Sequence, residues 1–199
     1  MGVVETKSDG QPVTQREDSL VPGQDKTLQS HPEMEDYRRL VNECAVAADG
    51  RVIFNRSPTH AAVVIENLFR VTEKEVDILT GHLFEPVFAT QSLIDSAVSF
   101  LSNHKDSRLK IIHDDPIEPL HPFLAAISAA KLMERVDIRP MTPELKEATP
   151  YHFAVGDARH FRFEPSKKTF EAVAQFGEPE VGGKLKVRFD HLYSSLSPK

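Results

Sequence analysis

The sequence predicts an α/β fold in which a mixed, mostly parallel sheet is flanked by helices. Three short apolar segments, at 75–81, 108–114 and 136–141, have the length of buried strands. Apolar residues at helical spacing follow the first two of these segments, and the connections between elements are short. Strand, helix, strand, helix, strand in this order is typical of a parallel sheet with right-handed crossovers.

The elements that precede this core follow from local signals. Residues 37–44 fit a short helix or strand, and the segment RVIF at 51–54 fits a strand. Ser57 and Pro58 provide an N-cap and a first-turn proline, which together predict the start of a helix. Five apolar residues at helical spacing extend that helix: Ala61, Val64, Ile65, Leu68 and Phe69.

The later elements complete the predicted fold. Helices are expected within 83–103 and over 121–134, where apolar residues recur at helical spacing. Residues 151–164 contain two strand-like segments around a short turn, which predicts a hairpin or two adjacent strands. A short helix around 168–176 and a C-terminal helix around 180–196 are expected to close the chain.

The charge of the chain is concentrated at its N-terminus. The 199 residues carry a net charge of -6, and residues 1–36 account for -5 of it, with 3 basic and 8 acidic side chains. The remaining 21 basic and 22 acidic side chains give -1. Residues 1–36 have no aromatic side chain and no apolar periodicity, so we predict a disordered acidic tail before a single α/β domain at 37–199. Such a tail is either a solvated leader or a segment that docks on a partner or masks a site.

The composition also excludes several classes of protein. No segment approaches the run of about 18 apolar residues that a membrane-spanning helix needs. The N-terminus lacks the basic and apolar regions of a signal peptide. Cys44 is the only cysteine, which rules out an internal disulfide and two-cysteine zinc motifs. We therefore expect a cytoplasmic protein with no membrane association.

The order of elements, together with the segment YHFAVGD at 151–157, resembles one half of the phospholipase D-like fold. In that family a strand carries His-x-Lys-x4-Asp, and two copies of this motif meet at one site. The resemblance implies that one histidine attacks a phosphodiester and the other protonates the leaving oxygen, while the lysines hold phosphate oxygens. Residues 60–165 carry the resemblance.

The family motif is incomplete in this sequence. Counted from His152, the lysine position is Ala154 and the aspartate position is Arg159. Counted back from Asp157, the lysine position is His152 and the histidine position is Pro150. Only one candidate motif occurs in the chain, so a complete catalytic site would require a homodimer.

Four residues form the candidate ligand site. If the two strands at 151–164 are neighbours, alternation places His152, Arg162 and Glu164 on one face. An imidazole and a guanidinium on a common face can bind a phosphate, and either Arg162 or Arg159 could replace the missing lysine. In the alternative interpretation, Arg162 pairs with Glu164, and His152 is a hydrogen-bonded strand residue.

A second group of polar residues follows the strand at 108–114. Its residue types can coordinate a divalent metal, but their spacing matches no metal signature, and a turn followed by a helix start explains them equally. We therefore predict neither a metal site nor a cofactor. The group consists of His113, Asp114, Asp115, Glu118 and His121.

The sequence favours a non-catalytic module, a pseudoenzyme in a regulatory or accessory role. Its expected partner is a phosphate-bearing ligand, a nucleic acid or another protein. The alternative is a phosphodiesterase or nuclease that uses His152 in a dimer-built site. Loss of one contact that stabilises the transition state costs about 10²–10³ in rate, which disfavours this alternative. A third hypothesis is a structural subunit that acts through its tail or surface.

Overall fold

The computed structural model describes residues 32–118 and 120–196. Seven strands occur in chain order: β1 (Ile53–Asn55), β2 (Glu75–Thr80), β3 (Arg108–His113), β4 (Val136–Pro140), β5 (His152–Gly156), β6 (His160–Glu164) and β7 (Ala172–Phe176). The α-helices are α1 (Pro32–Ala47), α2 (Pro58–Val71), α3 (Glu85–Phe88), α4 (Gln91–Asn103), α5 (Pro122–Ala129), α6 (Pro143–Ala148) and α7 (Pro179–Ser194). A 3-10 turn at Met133–Arg135 precedes β4.

The strands form one mixed sheet in the order β1-β7-β6-β5-β2-β3-β4. β2, β3 and β4 run parallel to one another, whereas the pairs β2–β5, β5–β6, β6–β7 and β1–β7 are antiparallel. The chain builds outward from β2 to β4 and then returns to the other side of β2. This reversal at β2 is the kind of position where open α/β sheets bind ligands.

Helices pack on both faces of the sheet, because the strands direct apolar side chains to each face. On the first face, Val76 and Ile78 of β2 pack in a core with α1, α2, α4 and α5. On the second face, Leu79 and Phe153 pack against α7, which contributes Phe189. α2 is the central helix of the first layer, and its residues 61–69 are all buried.

Several predicted elements are confirmed. Helix α2 begins as expected, since Ser57 Oγ accepts a hydrogen bond from His60 N at 3.2 Å. The segments at 75–81, 108–114 and 136–141 contain the three parallel strands. The two segments at 151–164 form an antiparallel hairpin. The mixed sheet flanked by helices is therefore confirmed. The expectation that its pairings are mostly parallel is wrong, because β5, β6 and β7 follow one another through short connections and four of the six pairings are antiparallel.

The short helix predicted around 168–176 is wrong, because this segment contains strand β7. Ala172, Ala174 and Phe176 are buried in alternation, which is a strand pattern. Alanine favours helices intrinsically, but β7 gains hydrogen-bonded partners on both sides, from β1 and β6. The helix expected over 121–134 is also shorter, because α5 ends at Ala129.

The predicted tail at 1–36 falls mostly outside the described residues. Positions 1–31 are among those that the structure does not describe, and helix α1 begins at Pro32, before the predicted domain boundary. Within the described part of the chain, no helix combines the length and the apolar character needed to cross a membrane.

The β5–β6 hairpin is held to the rest of the sheet by the side chain of Asp157. Asp157 and Ala158 both have positive φ angles, of 48° and 55°, which form a tight turn. The Asp157 carboxylate accepts hydrogen bonds from the amides of Glu73, Lys74 and Glu75 at 2.8–3.0 Å. The turn is thereby fixed to the start of β2.

We expect Asp157→Ala to lower the free energy of unfolding by about 1–3 kcal/mol, because three amides lose a charged acceptor. Urea unfolding followed by circular dichroism measures this change. Asp157→Asn is the matched control, since asparagine tolerates the positive φ and retains one acceptor oxygen, and it should lose less stability. Equal stability of Asp157→Ala and the wild type would contradict this role.

Candidate functional site

A pocket of about 430 Å³ opens beside β2, where the order of strands in the sheet reverses. It lies at the carboxyl ends of β2 and β3, beside the start of β5 and the end of β6. Its volume is within the usual range of about 300–1,000 Å³ for small-molecule sites. Besides residues of β2 and β5, its apolar wall contains residues of α2, of α3 with its N-cap, and of the β6–β7 loop: Ala61, Ile65, Phe84, Val87, Phe88 and Phe170.

His152, the first residue of β5, lies in the polar wall of this pocket. Its Nδ1 donates to Glu164 Oε1 at 3.3 Å, because a carboxylate can only accept. Its Nε2 lies 3.5 Å from Asp114 Oδ2. The register of the hairpin explains the first contact, since His152 is directly opposite Glu164. The second contact arises because Asp114 follows β3, two strands away.

The two carboxylates determine the charge of His152. Burial of the ring acts to lower the pKa of His152, but Asp114 and Glu164 outweigh it and raise the pKa above the ordinary value of 6.5. In the same way, burial acts to raise the pKa of Asp114, but His152 and Lys167 bring it below its ordinary value of 3.8. Both carboxylates therefore favour the protonated, positively charged form of His152.

Arg162 lies directly opposite Ala154, on the same face as His152. Its Nη1 pairs with Glu164 Oε2 at 2.9 Å, and its Nε donates to Asn55 Oδ1 at 2.9 Å. A further contact joins Nη2 to the carbonyl oxygen of Phe170 at 3.4 Å. The small side chain of Ala154 leaves space for the guanidinium. We call His152, Asp114, Arg162 and Glu164 the charge network.

Three lysines surround the mouth of the pocket. Lys167, in the β6–β7 loop, forms an ion pair with Asp114, and Lys146 of α6 forms one with Asp115. Lys168 is exposed, and its side chain makes no ion pair in the part of the chain that the structure describes. These ion pairs join the loop and α6 to the turn that follows β3.

The charges that line the pocket do not cancel. The positive groups are Lys146, Lys167, Lys168, Arg162 and protonated His152, and the negative groups are Asp114, Asp115 and Glu164. With histidines counted as neutral, four positive and three negative groups give the pocket +1, whereas residues 37–199 together carry -1, and protonation of His152 raises the charge of the pocket to +2. The pocket therefore has a positive potential that favours anions.

Aromatic rings lie next to these charges. The rings of Phe84 and Phe170 are stacked, with centroids 5.5 Å apart and an interplanar angle of 25°. His82 contacts the edge of Phe84 with a centroid distance of 5.7 Å. The pocket thus offers an apolar surface and a cationic rim within one cavity.

Three of the four candidate ligand residues lie together. One face of the β5–β6 hairpin carries His152, Arg162 and Glu164, as strand alternation indicates. Glu164 contacts both His152 and Arg162. The pairing of Arg162 with Glu164, which the sequence left open as the alternative, is present. Arg159 is elsewhere: it lies at the hairpin turn beyond Gly156, about 13 Å or more along β5 from His152 at the usual rise per residue.

The group that follows β3 does not converge on one point. His113 Nδ1 contacts the carbonyl oxygen of Asp115 at 2.8 Å, and His121 Nδ1 accepts from Phe123 N at 3.2 Å as the cap of α5. The acidic cluster in the described residues that is close enough for a shared cation lies elsewhere, and the Lys186 ammonium already sits among its carboxylates. That cluster consists of Glu75, Asp77 and Asp190.

Sequence reasoning missed several residues of this site, Lys168 of the pocket mouth among them. Asn55 and Lys167 are far in sequence from their partners and stand in segments without a periodic signal. Asp114 was assigned to a separate group, since its contact with His152 depends on β5 lying beside β2. Lys146 belongs to α6, which the apolar pattern did not indicate. Correct placement of β5 would have brought Asp114 and His152 together.

Comparison with known proteins assigns the chain to a family. Residues 57–198 match the family described as domain of unknown function DUF7931. The chain belongs to this family. No curated protein matches the sequence of this DUF7931 protein.

Solved structures resemble the DUF7931 domain in fold. Nuc from Salmonella typhimurium, a phospholipase D family member, superposes with a TM-score of 0.52 at 12% identity, over 76% of this chain and 99% of Nuc. NucT from Helicobacter pylori gives 0.52 at 13% identity, over 76% of this chain and all of NucT. The archaeal chromatin protein TrmBL2 gives 0.53 at 13% identity, over 84% of this chain. The match spans 62% of TrmBL2. The domain has a phospholipase D-like fold.

We expect the His152 imidazole to titrate with a midpoint above 6.5, because two carboxylates stabilise its charged form. Long-range ¹H–¹⁵N NMR of the histidine rings measures this midpoint. His160 is the internal contrast, since burial, aided by Arg159, lowers its pKa to about 4. A His152 midpoint at or below 6.5 would contradict the assignment.

The raised pKa of His152 also makes the free energy of unfolding depend on pH. A folded-state pKa above the unfolded value means that protonation of His152 stabilises the fold. This contribution is complete below about pH 6.5 and is lost as the pH rises through the folded-state pKa. The difference in unfolding free energy between the wild type and His152→Gln should therefore decrease over that interval.

Proposed function

We propose that the DUF7931 domain is a non-catalytic phospholipase D-like module that binds a small phosphate-bearing ligand in a regulatory or accessory role. One observation carries this proposal: a pocket of about 430 Å³ at the reversal of the sheet has more cationic than anionic side chains, with a net charge of +2 when His152 is protonated. A phosphate dianion compensates that charge, and the aromatic surface accommodates the remainder of a small molecule.

The cationic rim supports phosphate binding. Lys168 is exposed and makes no ion pair within the described residues, and Lys167 beside it has a partly exposed side chain. Two neighbouring ammonium groups on one loop can both reach a terminal phosphate. Arg162 is more deeply buried and already pairs with Glu164, so it contributes potential more than direct contact.

The surroundings of His152 argue against its use as a nucleophile. A phosphorus atom under attack must come within about 3–3.5 Å of Nε2. Asp114 Oδ2 already lies 3.5 Å from that atom, and its negative charge repels a phosphodiester. A protonated ring also lacks the lone pair that attack requires. Ala154 stands at the lysine position of the family motif, so the cation that would hold phosphate oxygens is absent from that position.

The phosphate-binding proposal predicts which residues respond to inorganic phosphate. In a ¹H–¹⁵N NMR titration at low salt, the amides of residues 114–115 and 167–168 should shift, and Lys168→Ala should weaken binding by about fivefold, the effect of roughly 1 kcal/mol. Added salt should weaken binding in all variants, because the contacts are electrostatic.

Lys184→Ala is the matched control, because Lys184 is an exposed lysine of α7 outside the pocket. It should bind phosphate as the wild type does. Absence of shifts around the pocket, or an equal loss in both variants, would contradict the proposal. A labelled single-stranded oligonucleotide that binds much more tightly than phosphate would indicate a nucleic-acid partner instead, the ligand class in the description of TrmBL2 as DNA-binding.

A phosphodiesterase with a dimer-built site is the second candidate function. The observation in its favour is the position of Arg162, which lies opposite Ala154 and so provides a cation near the lysine position of the family motif. In such an enzyme two copies of the chain would each supply His152.

We expect no hydrolysis of bis(p-nitrophenyl) phosphate above the level of His152→Ala, since Asp114 blocks Nε2. Release of p-nitrophenol followed by absorbance measures the rate. Asp114→Asn should not create activity, because Ala154 remains. Turnover that depends on protein concentration to the second power and is abolished in His152→Ala would favour the enzyme.

A further inference from the structure

Two polar atoms of the charge network have no hydrogen-bond partner among the described residues. They are His152 Nε2 and Asp114 Oδ1, and both are buried. The Asp114 side chain is only 3% exposed, and its other oxygen pairs with Lys167. His152 Nε2 has a long ion-pair contact with Asp114 Oδ2 at 3.5 Å in place of a hydrogen bond. An unpaired buried polar atom costs about 1–3 kcal/mol, so a further hydrogen-bonding group, either water or part of a ligand, is favoured beside both atoms.

The two atoms differ in hydrogen-bonding character. His152 Nδ1 directs its proton to Glu164, and Nε2 faces the Asp114 carboxylate at 3.5 Å, so Nε2 also carries a proton and donates. The Asp114 carboxylate can only accept. A group that both donates and accepts satisfies this adjacent donor and acceptor together. A hydroxyl does so with one oxygen atom, whereas a phosphate or carboxylate oxygen would be repelled by Asp114.

The route to this pair passes Gly81 and Lys167. A Cβ atom at position 81 would lie 3.3 Å from His152 Cε1, so glycine keeps the space beside the ring open. The Lys167 ammonium forms an ion pair with Asp114 Oδ2 and lines the same pocket. A ligand phosphate competes with Asp114 for this ammonium, and displacement of Lys167 exposes the donor and the acceptor.

We infer that the ligand carries a hydroxyl as well as its phosphate, and that this hydroxyl binds between His152 Nε2 and Asp114 Oδ1. The chemical class is that of phosphorylated polyols and sugar phosphates. The phosphate lies at Lys167 and Lys168, and the carbon skeleton lies against Phe84 and Phe170. This inference rests on the proposed phosphate-binding function.

Calorimetric titration with matched pairs of phosphate esters tests the inference. Glucose 6-phosphate is compared with cyclohexylmethyl phosphate, ribose 5-phosphate with cyclopentylmethyl phosphate, and glycerol 3-phosphate with propyl phosphate. Each pair shares its carbon skeleton closely and differs in hydroxyl groups. We expect at least one hydroxylated ester to bind about tenfold or more tightly than its partner, because loss of the hydroxyl leaves two buried polar atoms unpaired.

Two adjacent carboxylates provide the variant and its control. Asp114→Asn removes the charged acceptor at nearly unchanged volume, and the preference for the hydroxylated ester should fall below about threefold. Asp115→Asn removes the neighbouring carboxylate, which pairs with Lys146, and should retain the preference. Thermal melting verifies that both variants fold. The preference of the wild-type protein for the hydroxylated ester is measured without any variant, so it tests the inference even if a variant fails to fold.

The outcomes separate this inference from the function on which it rests. Equal affinity within every pair overturns the hydroxyl site, while phosphate binding stands. No binding of any phosphate ester at low salt overturns both. Glucose, ribose or glycerol binding as tightly as its phosphate overturns the proposed function and the displacement of Lys167. An Asp115→Asn effect as large as that of Asp114→Asn overturns the assignment of the acceptor.

Discussion

The pairing of Glu164 with both Arg162 and His152 is the interaction on which the rest of the site depends. Arg162 is buried under the first helical layer, where an unpaired guanidinium would cost several kcal/mol. One Glu164 oxygen neutralises it and the other accepts from His152. His152 in turn faces Asp114, which binds Lys167. The charges thus alternate from the interior to the pocket mouth.

The fold supplies this alternation through one topological feature. β5 lies antiparallel to β2, so its first residue comes beside the turns that follow β2 and β3. The amide of Asp114 donates to the carbonyl oxygens of Thr80 and Gly81 at 3.0 Å, which fixes that turn. A site of opposite charges therefore forms where parallel and antiparallel halves of the sheet meet. We propose that this site of a phospholipase D-like fold binds a phosphate-bearing ligand and does not cleave it.

Sequence patterns predicted those elements and contacts that depend on residues close together in the chain. The N-cap at Ser57 and the buried strands β2 and β3 follow from short-range signals, and strand alternation alone placed His152, Arg162 and Glu164 on one face. The strand β7 and the partners Asn55, Asp114 and Lys167 depend on which distant segments become neighbours. Two of the five residues of β7 are alanines, which favour helices intrinsically, and a loop lysine has no periodicity.

A crystal structure of the protein with ribose 5-phosphate tests the central claim most directly, because it locates the phosphate relative to His152. The account predicts the phosphate at Lys167 and Lys168, a sugar hydroxyl between His152 Nε2 and Asp114 Oδ1, and no bond to the ring. A phosphorus atom within about 3–3.5 Å of Nε2, with Asp114 turned away, would contradict it and identify His152 as a nucleophile.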